Sequence, residues 1–286
     1  MPVKRRCRAQ TLTKILTGGI FLLFHSAQAK IVSGAVSAGL GNAGVGILEI
    51  TDGIINNPAM ISAYPTEHLG FTTTEGEQKI FFADNGAEAM FPAGLGYSQQ
   101  KFLGDIEQKT FHLTLGYSIP IQKNKLFFGA DFQYRQWQLN QIEQNYVQSV
   151  ASFGLFYQIR PWISVGASVV DVPITDTKLP DSVDKATQSF VGVGFGDESF
   201  AQVRLDVGNA TNQNNSNLIF RGGIQTMVND WILTSVGYEN NNVIGSKTLT
   251  LGVGFKGPQF GLYYAYQNEA NDLFEARHVV DLSVPF

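Results

Sequence analysis

From Leu69 to the final Phe286 the chain alternates apolar with polar or small residues, and no stretch sustains a helical period of 3.6. Phe111, Leu113, Leu115, Tyr117 and Ile119 share one face, and His112, Thr114, Gly116 and Ser118 share the other. The same pattern recurs at 124–137, 146–159, 186–196, 247–256 and 260–267. A period of two places successive side chains on opposite faces of a strand. The pattern predicts fourteen strands, at about 68–75, 78–84, 90–99, 108–119, 124–137, 146–159, 162–171, 186–196, 199–208, 217–226, 231–240, 247–256, 260–267 and 274–286.

Two all-β architectures accommodate such strands. A β-sandwich turns the apolar face inward, whereas a transmembrane antiparallel barrel turns it to lipid and lines its lumen with polar or small residues. Three features favour the barrel. Even-numbered connections read as short and odd-numbered ones as longer and polar, as periplasmic turns and outer loops do. Trp162 and Trp231 open strands after tight turns and Trp137 closes one, as interfacial girdles would. His278, Val280, Leu282, Val284 and Phe286 alternate up to an aromatic C-terminus, which resembles the assembly signal that bacterial barrels present to the barrel-assembly machinery.

Composition agrees. Charged residues make up 15% of the 286, against ~25% in an average soluble protein. No apolar run approaches the ~20 residues of a membrane helix. Residues 1–29 read as a secretory signal peptide: Lys4, Arg5, Arg6, Arg8 and Lys14, an apolar stretch from Ile15 to Phe24, then Ala27-Gln28-Ala29. Removing it leaves 15 basic against 24 acidic residues, a net charge of −9, which disfavours a nucleic-acid partner. The sole cysteine, Cys7, would leave with it, so thiol chemistry is excluded from the mature chain. The expected location is the cell outer membrane, as a multi-pass barrel in lipid with both termini periplasmic.

A fourteen-stranded lumen is wider than the eight-stranded kind that side chains fill alone. Residues 30–67 precede the first strand, fall outside the alternation and are rich in Gly and Ala, as a plug would be. The expected organisation is therefore signal peptide 1–29, hatch 30–67 and barrel 68–286. Pro58 after Asn57 favours a non-helical turn, setting where hatch becomes barrel.

The hatch residues Gly39, Gly41, Asn42, Gly44, Asp52, Asn57, Pro58 and Ala59 resemble the N-terminal hatch of the FadL-type outer-membrane transporters. That superfamily includes a long-chain fatty acid channel, aromatic-hydrocarbon importers and PorV-like proteins of a secretion system. The likeness extends loosely over the chain, and Trp162–Pro173, Leu179-Pro180 and Arg277–Phe286 look more like the shorter PorV-like branch. It implies passive uptake of small hydrophobic compounds, with no cofactor. The outer loops are too short for the greasy landing groove of the fatty acid channel, so a plugged, cargo-binding barrel is the alternative reading.

Facing nominates Phe127, Phe156, Ile219 and Tyr263 as apolar ligand contacts in the lumen. It also nominates Asp131 with Arg135, Arg204 with Asp206, and Arg277 with Asp281 as ion pairs anchoring the hatch. Pro92 falls early in the third predicted strand, where proline is tolerated at the first residues; the resemblance to the fatty acid channel, whose third strand is kinked, implies instead that a lost ladder donor weakens the wall and opens a lateral exit. Gly39-x-Gly41-x-x-Gly44 matches a dinucleotide fingerprint but lacks its βαβ context. His68, His112 and His278 show no metal-ligand spacing, so no metal site is expected. No G-x-S-x-G elbow is present, and no catalytic residue is assigned. A lipase reading survives only through His112, the one histidine squarely on the polar face of a strong strand.

Overall fold

The computed structural model describes residues 34–47, 53–64, 67–86, 90–102, 106–121, 124–139, 144–175, 186–197, 199–211, 218–270 and 276–286. The signal peptide, Asp52 and Leu179-Pro180 lie outside the described residues. Among the described residues three one-turn helices precede the strands: α1 (Ala35–Ala38), α2 (Gly53–Asn56) and α3 (Met60–Ala63). Fourteen strands follow: β1 (Glu67–Thr74), β2 (Glu77–Asp84), β3 (Ala93–Phe102), β4 (Ile106–Ile121), β5 (Asn124–Leu139), β6 (Gln144–Arg160), β7 (Ile163–Pro173), β8 (Gln188–Asp197), β9 (Ala201–Ala210), β10 (Leu218–Met227), β11 (Ile232–Asn241), β12 (Ser246–Lys256), β13 (Gly261–Glu269) and β14 (Arg277–Pro285).

Every strand pairs antiparallel with its sequence neighbours, and β1 pairs with β14 from His68↔Pro285 to Thr74↔Val279, closing the barrel. Closure leaves no edge strand, the condition for backbone to cross a bilayer without orphaned polar groups. The start of β1 and the end of β14 share one rim, called here the terminal rim. The Phe286 N–H donates to Glu67 O at 3.2 Å, and its ring stacks on Phe82 at 5.9 Å, sealing the seam there.

The alternation reads directly as inside and outside. Phe111 (50% exposed), Leu251 (53%) and Val191 (66%) point outward, while Thr114, Thr250 and Glu239 face the lumen and are fully buried. An apolar belt on this scale is the lipid-facing surface of a transmembrane barrel.

The strands overrun the predicted limits where the ladder continues past the apolar pattern. β4 and β5 run to 16 residues and β6 to 17. This shortens the connections 103–105 and 140–143, which were expected to be long. Long odd-numbered connections persist only at 174–187, 211–217 and 270–276, and the even-numbered 85–92 is longer than expected. The expected loop asymmetry is therefore partial.

Two further expectations change. Trp137 is no girdle residue: it shares lumen parity with Arg135, is 1% exposed, and stacks on Phe102 at 5.6 Å beside Ile106 and Leu139. Trp162 and Trp231 do lie exposed at the terminal rim. Pro92 falls just before β3, and its carbonyl accepts the Gly116 N–H at 2.8 Å. Pairing of β3 with β2 and with β4 is continuous from Ala93, so no ladder donor is lost within the strand and the proposed lateral weakness is withdrawn.

The inside-out arrangement makes a specific prediction. Leu251→Arg, at mid-strand on the lipid face, should destabilise the barrel in vesicles by about 2–4 kcal/mol, and Val228→Arg, in a terminal-rim turn, by about 0–1 kcal/mol. Urea titration of the two variants in lipid vesicles measures the difference; equal costs would contradict the assignment of faces.

Candidate functional site: the occupied lumen

The described parts of 34–64 lie inside the barrel, buried against the wall. Local chemistry explains the path. α1 lasts one turn, and the chain reverses at Gly41 and Asn42, which have φ of +66° and +62°. Glycine adopts this left-handed region freely, and asparagine tolerates it through its short polar side chain. The turn is closed by Asn42 N–H donating to Ser37 O at 2.7 Å. A Cβ on Gly41 would also sit 2.4 Å from Tyr238 O, so the wall itself requires glycine there.

Five strands of one wall supply polar anchors. The Ala35 N–H donates to the Asp281 carboxylate of β14. Gly41 N–H donates to Thr250 Oγ1 of β12 at 3.0 Å, and Asn42 Nδ2 donates to Glu239 Oε2 of β11 at 2.5 Å. Asp206 Oδ2 of β9 accepts two successive amides, from Gly44 at 2.8 Å and Val45 at 3.1 Å. A carboxylate facing consecutive backbone N–H groups is the geometry of a charge-assisted anion nest. Gln267 of β13 adds bonds to Ala38 O at 3.2 Å and Asn42 Oδ1 at 3.1 Å.

The opposite wall holds the second half. Asn57 is fully buried; its Nδ2 donates to Val45 O and to Leu155 O, each at 2.8 Å. Its Oδ1 accepts Ala59 N–H at 3.1 Å, the Asx-type turn that starts α3. Pro58 and Ala59 then lie on Gly129: a Cβ there would be 2.2 Å from Pro58 C. Ser62 Oγ donates to Ala59 O at 3.0 Å and lies 3.2 Å from Phe128 O.

Each sequence-nominated residue can now be placed. Gly39, Gly41, Asn42, Gly44, Asn57, Pro58 and Ala59 are all in the lumen, and Asp52 lies outside the described residues. Phe127 and Phe156 form a tilted pair at 6.0 Å and pack on Ile54, Met60 and Ile61. Tyr263 packs on α1 and Leu40, and Ile219 on Val45 and Phe190. All four apolar nominees therefore touch the N-terminal segment.

Asp131 with Arg135 and Arg277 with Asp281 do not pair as drawn. Four residues along a strand span about 13 Å, too far for direct contact. Asp131 instead accepts from Thr114 Oγ1 at 2.8 Å and Gln133 Nε2 at 2.7 Å, and lies 3.1 Å from His112 Nδ1. Gln133 Oε1 then accepts from Arg135 Nε at 3.0 Å, so Gln133 relays one charge to the other. Arg135 pairs with Asp171 of β7. Arg204 Nη2 reaches Gln202 at 3.5 Å and Gln225 at 3.4 Å, while Asp206 serves the N-terminal segment. Arg277 is half-buried near the far end of β14, a strand's length of four residues from Asp281.

Sequence reasoning missed Asp171, Glu239 and Arg221, whose Nε lies 3.4 Å from Glu239 Oε1 and whose guanidinium covers the Phe190 ring at 4.3 Å. Asp171 is instructive. By strict alternation with Val169 it faces lipid. A bulge opposite Ser152, with Asp171 at φ +60°, turns both Val170 and Asp171 inward. An acid at a lipid-facing parity is itself a signal that the parity must break.

Toward the far rim, beside β2–β7, a cavity of about 60 Å³ remains, lined by Glu77, Lys79, Gln108, His112, Arg135 and Asp171 among others. Glu77 Oε2, Gln108 Oε1 and Arg135 Nη1 are buried there without a protein partner among the described residues. Such a space suits water and lies well below the ~300–1,000 Å³ of a small-molecule pocket. No group of three His, Cys, Asp or Glu side chains among the described residues is placed to hold a metal ion.

No family model matches the chain, and no curated protein does. Solved structures do. The chain superposes on the CymD monoaromatic hydrocarbon channel with a TM-score of 0.65 at 12% identity, covering 90% of this chain and 98% of that one. The Ralstonia pickettii toluene transporter TbuX gives 0.63 at 11% identity, over 88% and 98%. The Pseudomonas putida toluene transporter TodX gives 0.56 at 11%, over 88% and 96%. The shared property is the fold: a closed fourteen-stranded transmembrane barrel of the kind hydrocarbon transporters have.

The anchors make a second prediction. Asp206→Ala removes the acceptor of two buried amides, and each orphaned group costs about 1–3 kcal/mol. The N-terminal segment should become sensitive to protease added to detergent-solubilised barrel, while the heat-modifiable mobility of the barrel itself is retained. Asp206→Asn, which keeps an acceptor oxygen, should show a smaller effect.

Proposed function

We propose that the protein is an outer-membrane channel for passive movement of small hydrophobic compounds, with the monoaromatic hydrocarbons named for its structural neighbours as the leading class. One observation carries the reading: the apolar lumen surface is covered by a separate N-terminal segment, which is held by hydrogen bonds. Phe127, Phe156, Tyr263 and Ile219 all lie beneath that segment. Withdrawing it uncovers these apolar side chains, whereas the residual far-rim cavity is polar and too small for an aromatic ring. The segment thus acts as a hatch, and the solute's own concentration difference supplies the driving force. Both termini face the periplasm on this reading, and Phe286 at the seam serves recognition by the assembly machinery.

The depth of the clamps supports a second reading, in which the hatch never leaves and the barrel is a plugged platform holding exported cargo on its outer loops. Hatch motion separates the two. A Cβ on Gly39 would lie 2.5 Å from Ser235 Oγ, close enough for a Gly39→Cys/Ser235→Cys disulfide. The mature chain contributes no competing thiol. Toluene influx into vesicles carrying this variant should be low when oxidised and restored by reductant to the wild-type rate. Equal influx in both states would refute hatch-gated passage. No influx above empty vesicles, with wild-type protein as well, would favour the plugged platform.

A further inference from the structure

The outer surface of the barrel is not evenly convex. Over β4–β8 it carries a concavity of about 620 Å³. That volume falls within the range of ligand pockets. Its floor is unusual, because Gly116, Gly129 and Gly154 are reached from outside although their Cα positions belong to the lumen parity. These three pair in one row across the sheet, Gly116↔Gly129↔Gly154. The same glycines carry the hatch on their inner side: added Cβ atoms would lie 2.6 Å from Ile61 Cγ2, 2.2 Å from Pro58 C and 2.0 Å from Asn57 Oδ1. The wall here is one backbone thick. The hatch also reaches the wall's own carbonyls: Asn57 Nδ2 donates to Leu155 O, and Ser62 Oγ lies 3.2 Å from Phe128 O.

The outside completes the shape. Ala130, Ala167 and Ser189 are the small outward residues in a field of Leu115, Phe128, Phe153 and Leu155. The result is an apolar trough at mid-strand height, continuous with the lipid-facing belt and open to the bilayer core. We infer that this trough is a site for one acyl chain of a membrane lipid, seated on the outside of the glycine row that seats the hatch on the inside. A lipid chain is favoured over other occupants because the trough opens laterally into the acyl region and its lining is apolar apart from Ser168 and Ser189, with no charged group to hold a soluble partner. It also suits dispersion contact, since methylenes can reach backbone atoms where neighbouring strands present side chains. The inference rests on the transmembrane fold and is independent of hydrocarbon passage.

Photolabelling tests it. The full-length mature protein is reconstituted in phosphatidylethanolamine vesicles containing a trace of lipid with a diazirine at mid-chain, irradiated and peptide-mapped. Labelling of β4–β7 peptides bearing Tyr117, Phe128 and Leu155 should exceed that of β11–β13 peptides bearing Val236, Leu251 and Leu262 several-fold. Ala130→Trp/Ala167→Trp, which fills the trough, should remove the excess while the barrel keeps its heat-modifiable mobility; Ala130→Leu serves where the double variant fails to assemble. Equal labelling of the two faces would overturn the proposal, as would an excess that survives filling. Loss of the excess on adding toluene would assign the trough to free hydrocarbon instead. Barrel–barrel cross-links through β4–β8 with no excess label would assign it to a second copy. Wild-type excess label in vesicles that show no toluene influx would leave the acyl-chain site standing and refute only transport.

Discussion

Closure of β1 on β14 is the constraint from which the rest follows. In a bilayer each unpaired backbone group costs several kcal/mol, so a sheet that crosses it must end on itself. Once fourteen strands close, the lumen is too wide for side chains alone, and the chain's own N-terminal segment occupies it. The occupant must in turn satisfy its backbone inside the barrel. That requirement explains why Asp206, Glu239 and Asp281, acids that a lipid face would exclude, stand on the inner wall opposite Gly44, Val45, Asn42 and Ala35.

How much of this was legible in the sequence depends on the range of the interaction. Strand number and facing follow from a local period of two, and all fourteen segments were visible. Strand ends were less so, because β4, β5 and β6 continue through hydrogen bonding after their apolar pattern lapses near 120, 138 and 144. The glycines of the N-terminal segment and the space that wall glycines open for it were visible as composition and facing, but not the particular contacts. Gly129 and Gly154 are needed because Pro58 and Asn57, far away in sequence, press on their backbone. The polar network was the least legible. Charge and spacing suggested Asp131–Arg135, whereas the strand rise separates those groups and Gln133 carries the link. The Arg135–Asp171 pair needs a bulge in β7, which no periodicity announces.

Glycine placement couples the two surfaces of the wall. At the row Gly116–Gly129–Gly154, as at Gly192, Gly223 and Gly237, the wall offers no side chain to the N-terminal segment, so segment and bilayer are separated by a single backbone. Closely packed backbone transmits displacement rather than absorbing it. A shift of Asn57–Ser62 therefore bears directly on the carbonyls of Leu155 and Phe128, and so on the shape of the outer trough.

Polarity inside the barrel is divided as sharply as it is across the wall. Beside β2–β7 toward the far rim, Glu77, Lys79, Arg135 and Asp171 surround a small wet space. The greasy surface of Phe127, Phe156 and Tyr263 is elsewhere, beneath the hatch. An apolar solute gains nothing in the first region, because displacing water there leaves buried polar atoms unpaired at about 1–3 kcal/mol each. It gains in the second only in proportion to the hatch surface it replaces. Since the hatch covers that surface with Ile54, Met60 and Ile61, a small hydrocarbon competes with side chains that cover the same aromatics intramolecularly. On the proposed channel reading, passage is limited by how often the N-terminal segment lifts, not by affinity for the wall. On that same reading the hydrogen bonds from Asp206, Glu239 and Asp281 to the segment set the rate although they touch no solute.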